Sequence, residues 1–162
     1  MRGSRPLLFF VIGIGNPLRG EDGGGIAFAR ALGESFGRRG VLFYLQVTQQ
    51  LLPELAEAIA TAEASSVIFV DAAAHTANVG LQPVLPEQQP GGLSHHASAE
   101  TIMLLVNRLY EWPAPGWLVT VPAASFEHGH DPGNLPATYK QADHWAGVLL
   151  QLANRRGIYL PQ

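Results

Sequence analysis

Residues 7–14, LLFFVIGI, constrain the fold more than any other stretch of the chain. The run is too short for a buried helix and too apolar for a strand with one wet face, so it reads as a strand covered on both sides. Such strands belong to parallel sheets with helices above and below. The remaining sequence supplies those layers. Residues 26–32 have Ala-rich helical spacing with Gly37 or Gly40 as a stop, and residues 41–47 are rich in β-branched and aromatic side chains. Leu52, Leu55, Ala56 and Ile59 share a helical face, with Pro53 near its first turn, where a missing N–H costs little. Residues 66–70 form a third strand ending at Asp71, and residues 79–85 a short edge strand.

Ser98 is placed to cap a helix running to about Tyr110, with Ile102, Leu105, Val106 and Leu109 on one face. Residues 117–121 make another strand. The polar stretch 125–136 reads as a long loop, and residues 137–155 as a closing helix carrying Trp145, Val148, Leu149 and Leu152. Repeated strand–helix alternation predicts one domain, residues 1–162, built as a three-layer α/β sandwich with a mostly parallel, twisted central sheet.

Composition removes several classes of function. There is no cysteine, which excludes disulfides, thiolate nucleophiles and Cys-ligated zinc or iron–sulfur sites. Ten Lys and Arg against thirteen Asp and Glu give a net charge of −3, with no basic cluster to track a polyanion, so nucleic acid is not an expected partner. Arg2 and Arg5 ahead of an apolar run faintly resemble a secretory leader. Gly13, Gly15 and the charges at Arg19, Glu21 and Asp22 interrupt it, and no cleavage site follows. No apolar run approaches the roughly 20 residues that span a bilayer. A soluble, cytoplasmic, monomeric protein without a membrane partner is the expectation.

The chemistry begins at VIGIGNPLRGEDGGG, residues 11–25. Gly15 to Gly20 matches the G-x4-G half of a phosphate loop in the right strand-to-helix position. Where Lys and Ser or Thr should follow stand Glu21 and Asp22, and a carboxylate about 4 Å from a phosphate costs on the order of 1 kcal/mol even in water. The dinucleotide fingerprint fails too, because its third glycine falls on Leu18. Taken singly, Asp22 reads as an ordinary acid at a helix start, Asp71 as a turn cap, and a loop histidine as solvated. Together, two carboxylates and an imidazole from SHH (His95, His96), on three βα loops, make an open facial site for a borderline divalent cation.

Two other patterns compete. GESFG, residues 33–37, matches the nucleophile elbow, and Ser35, Asp71, His96 follow the chain order of α/β-hydrolases. An elbow, however, lies between a strand and the next helix, whereas Ser35 sits at the end of a helix, where a C-terminal turn is the better reading. The His128-x-His130 pair in EHGHD is a second metal candidate, which an exposed polar loop explains equally well.

GIGNPLRGEDGGG, LLPELAEAIATAEASSVIFVDAA, LSHHASAETI and VTVPAASFEHG, in this order, resemble the successive signatures of the nickel–iron hydrogenase maturation endopeptidases over most of residues 8–150. QQLLPELAE is most similar to the branch that processes bidirectional, NAD-linked hydrogenases. The resemblance implies a compact α/β fold and an aspartic-type endopeptidase that trims a C-terminal extension from a hydrogenase large-subunit precursor once nickel is in place. Carried over residue by residue, the acid that senses nickel falls on Asp22, the strand-end aspartate on Asp71 and the loop histidine on His96, with catalytic and metal roles shared among the three. Nickel arrives with the substrate. The isolated chain is expected to take other divalent cations, such as zinc or cadmium, at the same residues. The sequence departs from the family pattern at Gln49, at His95 and in the GHDPGNLP run. A metal-dependent docking or chaperone module built on the same three ligands is the alternative, and a serine hydrolase using Ser35 a weaker third.

Overall fold

The computed structural model describes residues 5–15, 23–73, 77–86, 97–122 and 134–157, with side chains in the last segment described over 140–155. Strand β1 (Leu8–Ile14) is buried through its middle, as its all-apolar sequence requires. It lies inside a five-stranded sheet of order β2-β1-β3-β5-β4. Strands β2 (Leu42–Thr48), β3 (Ser66–Ala73) and β5 (Gly116–Pro122) run parallel to it, and β4 (Gly80–Val84) closes the far edge antiparallel to β5.

Alternation along the strands sorts the core into two layers. Phe9 and Val11 of β1, Ile68 and Val70 of β3, and Val119 and Val121 of β5 face helices α1 (Gly23–Arg38) and α4 (Asn134–Gly157). Phe10, Ile12, Val67 and Phe69 face α2 (Glu54–Thr61) and α3 (Ala99–Leu104). The architecture is the predicted sandwich. Phe9 stacks on Phe36 of α1 with ring centroids 4.4 Å apart, which ties the central strand to the end of its own crossover helix.

Local sequence accounts for the element ends. The chain leaves α1 through Gly40 at φ 71°, a left-handed position that glycine occupies without steric cost. Pro53 stands at the N-cap of α2, and Ser98 Oγ accepts the Thr101 N–H at 3.1 Å to start α3.

Several expectations need correction. Leu52 is 41% exposed, and Leu51 takes the buried place ahead of α2. Leu109, expected on the inner face of α3, is 65% exposed because α3 runs on into a π-helical turn, Leu105–Leu109. There the Tyr110 N–H reaches back five residues to the Leu105 carbonyl at 3.1 Å, and the wider turn rotates the following position off the core. Helix α4 begins at Asn134 rather than residue 137, with Pro136 in its first turn, where proline is tolerated. Its buried stripe is Ala142, Ala146, Leu149 and Ala153, with Trp145 only half-buried, so small side chains set how closely α4 lies on α1. Strand β3 continues two residues past Asp71.

Candidate functional site

The order β2-β1-β3 means that the chain leaves β1 in one direction to form β2 and returns on its other side to form β3. In an open parallel sheet, the crevice beyond the carboxyl ends of two such strands is where ligands bind, because the following loops diverge there. Here that crevice lies between the ends of β1 and β3. Residues 16–22 follow the first strand, and Asp71 stands on the second.

Three observations hold the edge together. The backbone of α1 is seated against it at Gly25, where an added Cβ would lie 2.8 Å from the Ile14 carbonyl oxygen and 3.4 Å from the Asp71 Cα. No other residue type fits without moving backbone. The Gly15 N–H donates to the Thr48 carbonyl at 3.0 Å, carrying the β1–β2 pairing one residue beyond β1. The Ala97 N–H donates to the Leu51 carbonyl at 3.2 Å, which pins the start of the Ser98 cap to the segment leaving β2.

Asp71 is exposed, and its Cα partner in the sheet is Thr120. Two residues on from Phe69, its side chain leaves the sheet on the face of α2 and α3, the face on which Ala97 packs. Thr120 occupies the neighbouring position on that face, a hydroxyl beside the carboxylate that only strand register reveals. On the far side of the crevice, Thr48 Oγ1 donates to the Gln50 carbonyl at 2.6 Å and closes the turn that carries Gln49.

Of the expected site residues, Asp71 is described; Asp22 and His96 lie outside the described residues, as do Glu21, His95, His128 and His130. Of their neighbours in sequence, the start of α1 is seated against Asp71, Gly15 is bonded to Thr48, and Ala97, directly after His96, is bonded to Leu51. Among the described residues, no three His, Asp or Glu side chains are grouped closely enough to hold a metal ion.

The competing Ser35 pattern has a different explanation. Ser35 is fully buried and its hydroxyl donates to Asp143 Oδ1 of α4 at 2.6 Å. Arg39 reaches the same carboxylate oxygen at 3.3 Å and the Asp143 carbonyl at 3.1 Å, and Arg38 lies 4.0 Å from it. The Ser35 hydrogen bond first, then Arg39 and Arg38, hold the Asp143 carboxyl below the usual carboxylate range. Ser35 also sits near the end of α1, at the opposite edge of the sheet from Asp71, so no triad forms with Asp71. Sequence gave no hint of this tie, because its acid lies 108 residues downstream.

No protein-family model matches the sequence, and comparison with curated proteins gives no match. Among solved structures, the NiFe hydrogenase maturation protease HycI from Thermococcus kodakarensis KOD1 is similar, with a TM-score of 0.59 and 19% identity over 93% of this chain and 95% of that one. At that identity the likeness establishes a common fold: the chain is an α/β sandwich of the same architecture, matched over nearly its whole length.

Proposed function

We propose that this chain is a maturation endopeptidase that removes a C-terminal extension from the large-subunit precursor of a nickel–iron hydrogenase after nickel insertion, in the branch serving bidirectional, NAD-linked enzymes. The observation that carries the reading is the close seating of the start of α1 against Asp71 at the crevice where an open α/β sheet binds ligands. The fold shared with a hydrogenase maturation protease supports it.

In this reading Asp22, Asp71 and His96 complete the coordination of nickel held by the precursor. The shared ion aligns the scissile peptide and polarises its carbonyl or activates a water, so cleavage is coupled to metal loading. The chain has no Cys and no H-E-x-x-H helix, and Ser35 is committed to Asp143. A nucleophile of its own is therefore hard to assemble. The charge of the acids suits a cation, which accounts for Glu21 and Asp22 standing where a phosphate loop carries Lys.

Intact mass of the precursor, incubated with the chain with and without nickel, tests the assignment. Loss of a C-terminal peptide only from the nickel-loaded form is expected. Unchanged mass with a stable nickel-dependent complex would instead establish a docking module, and cleavage indifferent to nickel would overturn the metal-reading role.

A further inference from the structure

The two edges of the sheet are built differently. Strand β4 is five residues long and carries Pro83, which cannot donate to a further strand. Strand β2, LFYLQVT, is seven residues long and has no proline and no charge, and its register with β1 runs unbroken from Leu42 to Thr48 without a bulge. Within the strand itself none of the usual guards of an edge, a proline, a charge or a bulge, is present. The described backbone hydrogen bonds of β2 run to β1 and to Gly15, so the alternate peptide groups that face outward have no strand to pair with among the described residues.

The face of β2 toward α2 is equally open. Leu42 and Tyr44 are each 56% exposed, and Gln46 is exposed beside them. Helix α2 packs over β1, leaving a groove of about 550 Å³ with Phe10, Tyr44 and Gln46 as its floor and Glu54, Glu57 and Thr61 along its wall. Among the described residues, no Lys or Arg lines it.

We propose that the outer edge of β2 and this groove dock an extended, basic segment of a partner protein by strand addition. The added strand would lie about 4.8 Å beyond β2, and its side chains on the α2 face would stand next to Tyr44 and Gln46. Long Lys or Arg side chains reach from there across the Tyr44 ring to the Glu54 and Glu57 carboxylates. A second copy of the chain is the poorer occupant. Pairing β2 with β2 about a two-fold axis brings both α2 helices to the same side of the joined sheet, setting acid against acid with no cation among the described lining residues. The docking surface is independent of the activity assigned to the carboxyl edge.

The test is fluorescence anisotropy of the full chain with a short labelled peptide alternating Lys with Val. Saturable binding that weakens with added salt is expected, lost when alternate peptide nitrogens are methylated and when Glu replaces Lys. The exposed pair E54Q/E57Q should weaken binding roughly fivefold with an unchanged circular dichroism spectrum. Equal binding of the methylated or acidic peptide overturns the proposal, as does no binding. Sedimentation velocity supplies the remaining outcome: a stable dimer that L42K dissolves would assign the edge to a second copy instead.

Discussion

At the scale of single residues, Gly25 decides how near the first helix comes to Asp71. A methyl group there meets the Ile14 carbonyl, which belongs to the central strand and has nowhere to move. Gly25→Ala is therefore expected to cost about 1–3 kcal/mol of stability through overpacking. It should also lower processing of the precursor by displacing the start of α1 from the crevice. Chemical denaturation and the precursor assay check the two effects separately. Asp143 offers a pH test. Its carboxyl is held below the usual range by Ser35 and the two arginines, so its contribution is present above the unfolded-state value near 3.9 and is lost as pH falls through the lower folded-state value. Asp143→Asn should lower the thermal midpoint at neutral pH, and the gap to the wild type should narrow as the pH drops below about 4. A gap that stays constant down to acid pH would show that the charge of Asp143 is not what ties α4 to α1. Neither residue was legible beforehand: Gly25 looked like one of three glycines at a helix start, and Asp143 became meaningful only once α4 lay on α1.

The elements are where sequence spoke most clearly, and the reasons are physical. Strand β1 was readable because a short run of apolar residues has few other ways to be buried, and α2 because its apolar period and Pro53 agree. Truncation in that strand should be severe. Phe9→Ala removes a fully buried ring stacked on Phe36 and is expected to cost about 3–5 kcal/mol. Differential scanning calorimetry should then show a fall of roughly 10 °C in Tm. The failures were equally specific. Periodicity assumes 3.6 residues per turn, so the π turn after α3 carried Leu109 out of the predicted face. In α4 the conspicuous Trp145 drew attention from the alanines that make the contact. Asp71 was expected at a strand terminus, yet pairing with β5 extends β3 to Ala73.

For the whole molecule, alternation of strands and helices was enough to anticipate a three-layer sandwich, and the strand order adds what sequence alone could not: where the sheet reverses direction. That reversal falls between β1 and β3, the second of which carries Asp71. Of the candidate site, the sequence offers residue types and not a geometry, because contacts between residues so far apart are set by topology; Asp22 and His96 lie outside the described residues. Asp71 is the member of the set that the described residues contain, and it is exposed, so Asp71→Asn should stay folded with a thermal midpoint within about 3 °C of the wild type. The most direct measurement is the cleavage rate of nickel-loaded precursor by that folded variant. The account predicts a loss greater than the roughly 10–100-fold that removing even an outer-shell partner costs a metal site; processing by Asp71→Asn at the wild-type rate would contradict it.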